Sequence, residues 1–256
     1  MGKIIAVGGG EMGRPKDTGG FYPLETLPID KEIIKLSGKK NPKLLFLPTA
    51  SGDSHGYFEV VKKYFGQRLG CECDVLYLKD SPPSYKEIRS KILSSDIIYV
   101  GGGNTLNMLN IWNRLGVNKI MQEAYKRDIV LAGVSAGAIC WARYASSDSR
   151  PRAGKNNYGF IKIQGLGLIP LTLSPHHTRE IKRKKAIINI MNRTPGVGVA
   201  LDDCSALEII SNKYRVITSK SSANAHRVFS IRGKVHFEVI PKGEFRSFDE
   251  LIKLKK

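Results

Sequence analysis

Gly133-Val134-Ser135-Ala136-Gly137 decides the reading of this chain. It follows the apolar run Ile129-Val130-Leu131-Ala132 and precedes Ala138-Ile139-Cys140-Trp141-Ala142, which has the character of a helix. Strand, G-x-S-x-G and helix in that order predict a nucleophile elbow, a turn so sharp that only small residues fit beside its central serine. Such a turn lifts the serine oxygen clear of the sheet. It also aims the next backbone N–H groups, at the helix start, toward any negative charge that develops there. A chance turn of small residues spells the same letters, so the surrounding sequence has to choose between the two.

On both sides of the elbow, apolar runs alternate with amphipathic stretches. Strands are predicted near 4–7, 44–47, 75–78, 97–100 and 129–132, with helices near 29–36, 56–68, 85–93, 106–114 and 118–126. Ser84-Tyr85-Lys86-Glu87 reads as a capping box for the third of these helices. The second half predicts a helix at 179–191, then shorter strands at 198–201, 206–210, 214–218, 227–231 and 235–240. Arg232-Gly233 marks a hairpin between the last two. The pattern is an α/β protein with a mostly parallel sheet and helices on both faces, whose sites belong at the carboxyl ends of the strands. No linker, repeat or low-complexity segment divides it, so one domain over 1–256 is expected.

Composition narrows the function classes. Of the 256 residues, 41% are hydrophobic and 25% charged, values that support one full core. No apolar run approaches the ~18 residues of a membrane span, and no signal-peptide pattern opens the chain, so a cytoplasmic protein is expected. Cys71 and Cys73 form C-x-C, but no second pair matches them, and Cys140 and Cys204 stand alone in apolar surroundings. Neither a zinc site nor a disulfide framework is expected from these four. The formal charge of +18 is scattered, with clusters at Lys182-Arg183-Lys184-Lys185 and at Lys253, Lys255 and Lys256. A solvated lysine-rich surface is the preferred reading. A nucleic-acid partner is the alternative, without an aromatic-interleaved basic motif to sharpen it.

Gly8-Gly9-Gly10-Glu11-Met12-Gly13 has the letters of a dinucleotide fingerprint, yet Pro15, Gly19, Gly20, Pro23 and Pro28 prevent the helix that a pyrophosphate needs. A flexible loop beside a cleft is expected there, and no cofactor. Gly101-Gly102-Gly103-Asn104-Thr105 does lead from a strand into a helix, with Asn104 or Thr105 as the cap. Its glycines bring bare N–H groups close to a ligand, where a serine hydrolase needs a second oxyanion donor.

A catalytic serine also requires a base. Of the five histidines, His176 in Ser174-Pro175-His176-His177-Thr178 has the best context, a strand-end loop before a charged helix. His226 and His236 sit in strand runs, and His55 at a helix start. The orienting acid is Asp148, in the polar loop Ser146-Ser147-Asp148-Ser149, with Asp202 and Asp203 as competitors.

Taken together, the Gly101–Thr105 and Gly133–Gly137 motifs and Pro175-His176-His177-Thr178 resemble the peptidase E family of serine peptidases. Leu47-Pro48-Thr49-Ala50-Ser51 and Ala200-Leu201-Asp202-Asp203 extend the similarity through most of the chain. That family includes aspartyl dipeptidases and the related cyanophycinases, on a glutamine-amidotransferase-like α/β fold. The resemblance implies Ser135 as nucleophile, His176 as base, Asp148 as the nearest match to the third member, and oxyanion donors at the Gly103 and Ala136 N–H groups. It implies a serine exopeptidase of short peptides with an N-terminal aspartate. Arg143, Arg150, Arg152 and Asn104 are the candidates for contacting substrate. A cyanophycinase-like hydrolase is an alternative, and so is a binding protein on the same scaffold.

Overall fold

The computed structural model describes residues 2–151, 158–179 and 181–254. Its layering starts at β1 (Lys3–Val7), where alternate side chains turn to opposite faces. Ile4 and Ala6 enter one apolar cluster, and Ile5 and Val7 enter another. The chain continues through α1 (Leu27–Leu36), β2 (Lys43–Leu47), α2 (His55–Val61, prolonged by Lys62–Arg68), β3 (Glu72–Val75), α3 (Tyr85–Leu93) and β4 (Ile97–Val100). Then come α4 (Thr105–Arg114), α5 (Val117–Lys126), β5 (Val130–Val134) and the short α6 (Ala136–Ile139). The strands pair in parallel in the order β1-β5-β4-β2-β3. Helices α1 and α2 cover the face carrying Ile5 and Val7, while α3, α4 and α5 cover the other.

The later strands divide between two sheets. β6 (Ala142–Pro151), β7 (Tyr158–Gln164) and β8 (Ile169–Ser174) precede α7 (Ile181–Met191) and β9 (Val197–Leu201). β10 (Ser205–Ile210) and β11 (Lys213–Thr218) extend the first sheet beyond β1, both antiparallel. β12 (Ala225–Ile231) and β13 (Lys234–Val239) join a second sheet ordered β13-β12-β9-β8-β6-β7. β14 (Arg246–Ser247) edges β11, and α8 (Phe248–Ile252) follows it. Leu171, Leu173, Val199 and Leu201 of the second sheet share one core with Ile4, Ala6 and α4. That shared core brings the ends of β8 and β9 against the ends of β1 and β5.

The fold is the mixed α/β architecture read from the sequence, with particular departures. The third strand was expected over 75–78 but occupies Glu72–Val75. Asp53 Oδ2 accepts the Leu78 and Lys79 N–H groups at 2.6 Å and draws the chain off the ladder, while Leu76 and Leu78 still reach the core. The helix expected after the elbow stops at Ile139, and the polar loop expected at 146–149 is strand β6. Helix starts follow their caps: Ser84 and Glu87 form the capping box of α3, and Asn104 caps α4. Arg232 and Gly233 both adopt positive φ, 50° and 78°, as a tight hairpin between β12 and β13 requires. No helix among the described residues is long and apolar enough to cross a membrane. All four cysteines are free.

One buried acid makes stability depend on pH. Asp30, on α1, is fully buried, and its Oδ2 accepts the Thr26 hydroxyl at 2.7 Å and the Tyr64 hydroxyl at 2.8 Å. Burial outweighs those two hydrogen bonds and pushes the carboxyl up to about 7. The folded state therefore holds the proton more tightly than the unfolded chain, whose aspartate titrates near ~3.9. The stability tied to that proton is complete below ~pH 4 and is lost as pH rises through about 7, a change on the order of 4 kcal/mol. Denaturant unfolding of wild type and Asp30→Asn from pH 4 to 8 is expected to show that slope flattened in the variant. Equal slopes would contradict the assignment.

Candidate active site

Four strand ends supply the site, and each does so through a short connection. β5 ends at Val134, and the next residue, Ser135, turns with φ 55° and ψ −110°, a conformation that non-glycine residues seldom adopt. The glycines on either side allow it. A Cβ on Gly133 would collide with the Gly137 carbonyl, and one on Gly137 with the Val100 carbonyl at the end of β4. The elbow is thus wedged between neighbouring parallel strands, and Ser135 is left half-buried at the sheet's carboxyl edge.

β8 and β9 are parallel neighbours with Ser174 opposite Ala200. Their next residues therefore emerge side by side, which places His176 against Asp203. His176 has φ 52°, and Cys204, directly after the acid, has φ 64°. The imidazole links the two chains of chemistry: its Nε2 lies 2.9 Å from Ser135 Oγ, and its Nδ1 is hydrogen-bonded to Asp203 Oδ1. The imidazole is mostly shielded, with 15% of the side chain exposed. Burial raises the Asp203 carboxyl, but the His176 hydrogen bond and the charges of His176, Arg179 and Arg183 outweigh it, leaving it below the usual carboxylate range. An ionised acid, an imidazole and a hydroxyl in series can pass a proton from the serine to the ring and keep the ring in one tautomer.

The connection after β4 lies on the other side of Ser135. An ideal Cβ on Gly102 would stand 3.4 Å from Ser135 Cβ and 3.9 Å from its Oγ, so the glycine turn lies directly beside the nucleophile. Gly103 follows with φ 140°, and Ala136 opens α6 next to Ser135. Among the described residues, neither the Gly103 nor the Ala136 N–H donates to a backbone carbonyl in a turn, loop or cap. Ala136 adjoins Ser135 in the chain and Gly102, next to Gly103, adjoins it in space, with Tyr57 Oη 3.5 Å from the Gly102 nitrogen.

One sequence expectation needs correction. Asp148 does not meet His176. It lies on β6, between Ser147 and Ser149, which turn toward α4, whereas Asp148 turns toward α7 and accepts from Arg183 at 2.8 Å. Arg183 is almost wholly buried and also lies over the Phe160 ring, so the pair ties β6 to α7. The carboxylate on His176 belongs to Asp203. Asn104 is likewise engaged in the scaffold: its Oδ1 accepts the Asn107 N–H at 3.0 Å and its Nδ2 donates to the Ser149 carbonyl at 3.1 Å. Both ends of that amide hold α4 and β6 together. Arg143 is exposed, with its guanidinium 5.5 Å from the centre of the Tyr144 ring. The backbone of Arg150 pairs with Gly159, its side chain lies outside the described residues, and so does all of Arg152.

The second histidine of the pair serves the core. His177 is buried between His226 and Phe237, with ring centroids 5.1 and 5.6 Å away. Desolvation lowers it to about 4, helped by the neighbouring His226, so it stays neutral at physiological pH. Among the described residues, no three His, Cys, Asp or Glu side chains are placed to hold a metal ion.

The chain is similar to known proteins in sequence and in fold. The model of peptidase family S51 matches residues 19–217. An uncharacterised peptidase of Bacillus subtilis is 34% identical over 230 residues, covering 89% of this chain and 92% of its own. Peptidase E of a Nostoc species is 25% identical over 202 residues, covering 75% and 78%. The crystal structure of a peptidase from an acI-B1 actinobacterium superposes with a TM-score of 0.70 at 19% identity, over 97% of both chains, and so shares the fold. The family model spans both the elbow and the His–Asp pair, and the Bacillus relative aligns over nearly the whole length. The chain belongs to peptidase family S51, the serine-type peptidases that its motifs resemble.

Proposed function

We propose that the chain is an exopeptidase of the dipeptidase type, cleaving short peptides through an acyl-enzyme on Ser135. The observation that carries this reading is the continuous hydrogen-bonded series Ser135–His176–Asp203 at the carboxyl ends of β5, β8 and β9. Ser135 Oγ attacks the scissile carbonyl carbon as His176 Nε2 takes the hydroxyl proton. The carbonyl oxygen becomes an oxyanion, and the N–H groups of Gly103 and Ala136 receive it. Removing one such donor in enzymes of this type costs roughly 3–4 kcal/mol of transition-state stabilisation. The imidazolium, held by Asp203, then protonates the leaving amine as the C–N bond breaks. Water attacks the acyl-enzyme, His176 takes the water's proton, and that proton returns to Ser135 Oγ as the acid product leaves.

The preference for an N-terminal aspartate rests on the likeness to peptidase E, and the net charge of +18 favours encounter with acidic peptides. Free cysteines suit a reducing, cytoplasmic compartment. The test is a dipeptide library with acidic, basic and neutral first residues. Dipeptides with an acidic first residue are expected to show the highest kcat/KM. A preference for basic residues would move the reading toward cyanophycinase-like hydrolases, and no cleavage of any member would overturn the exopeptidase.

A further inference from the structure

Gly8-Gly9-Gly10, the decoy fingerprint, lies at the centre of the site. Three consecutive carbonyls at the end of β1 each hold one limb of it. Val7 O accepts the Ser135 N–H at 3.0 Å, Gly8 O accepts the His176 N–H at 3.1 Å, and Gly9 O accepts the Cys204 N–H at 2.8 Å. Those three N–H groups belong to the nucleophile, to the base and to the residue after the acid. Each of the three residues also has a positive φ, so each turn is strained and depends on an external hold. The Gly8 N–H completes the clasp by donating to the Ser205 carbonyl at 2.8 Å.

Gly9 does more than accept a hydrogen bond. A Cβ built on it would overlap Asp203 Oδ1 and His176 Nδ1, the two atoms of the base–acid hydrogen bond. No side chain fits there, so the Gly9 backbone is packed directly on that bond. We propose that Gly9 is a positioning residue of the catalytic site: its bare Cα covers the His176–Asp203 hydrogen bond, while the Val7, Gly8 and Gly9 carbonyls fix the three catalytic turns in one register. The inference rests on the triad reading above. It assigns to one glycine the task of keeping water off the bond that sets the imidazole's tautomer.

The test is Gly9→Ala in the full chain, assayed for melting, kcat, KM and pH dependence on the best dipeptide. A methyl wedged against Nδ1 and Oδ1 displaces the ring by a fraction of an ångström or more, and misplacement of about 1 Å can cost ~10²-fold in rate. We expect kcat to fall by at least ~10²-fold with KM nearly unchanged. The acid limb of the rate profile should also change, because the ring is no longer held against the Asp203 carboxylate. A purely structural role would lower melting but leave that limb in place. A folded variant with wild-type kcat and pH profile overturns the inference.

If the variant does not fold, the wild type decides by proton NMR. A far-downfield imidazole N–H resonance, in slow exchange with water and lost in His176→Ala, is expected. Its absence, or exchange with water too fast to observe, overturns the seal by Gly9. A wild type that shows this resonance yet cleaves no peptide would instead refute the peptidase reading and leave the packing of Gly9 standing.

Discussion

Replacing Ser135 with alanine is expected to reduce peptide hydrolysis by roughly 10⁶-fold, the scale of loss when a serine peptidase of this mechanism loses its nucleophile. That factor is about 8 kcal/mol of transition-state stabilisation. Stability should change by no more than ~1 kcal/mol, because the hydroxyl faces His176 and the half-buried elbow keeps its backbone. His176→Ala should be as damaging, since the two act as one unit. His177→Ala should instead lower stability, because that ring fills the space between His226 and Phe237. Steady-state rates and thermal melts on the three variants test this. Comparable activity in Ser135→Ala and wild type would contradict the account.

The second large effect concerns the acid. Asp203→Asn should leave Ser135 and His176 in place but allow the wrong imidazole tautomer, with a loss of about 10⁴-fold in turnover and at least ~10²-fold. Asp148→Asn should keep turnover within a few-fold of wild type. Its penalty falls on stability instead, on the order of 1 kcal/mol, because its bond to buried Arg183 is weakened and Asp148 itself is partly exposed to solvent. Matched kcat and melting measurements separate the two carboxylates. A turnover loss confined to Asp148→Asn would return the orienting role to it.

The contrast between these two aspartates shows where the sequence was legible. Elements whose side chains alternate or recur at helical spacing could be read directly, as with β1, β4, α3 and the capped start of α4. So could the positions of Ser135 and His176 at strand ends, because an elbow and a strand-end histidine are local patterns. β6 hid because Ser146–Ser149 is polar. Ser149 Oγ accepts the Leu106 N–H of α4 and Asp148 pairs with Arg183 of α7, and no local pattern signals either contact. Once β6 is mistaken for a loop, Asp148 looks free to turn toward the histidine.

Asp203 required knowledge of strand pairing. Ser174 of β8 lies opposite Ala200 of β9, so the parallel pair brings the connection that carries His176 beside the one that carries Asp203. No local pattern records that pairing, which follows from the core that both strands share with β1. Gly9 was legible only as a glycine. Its place against the His–Asp bond depends on three strand ends converging, which no motif records.

The central claim is that Ser135 is the nucleophile and that His176 activates it. Fluorophosphonate treatment of the intact protein, followed by mass mapping of the adduct, tests it most directly. The account predicts a single adduct on Ser135, absent from His176→Ala. An adduct on another residue, or undiminished labelling of Ser135 in His176→Ala, would contradict it.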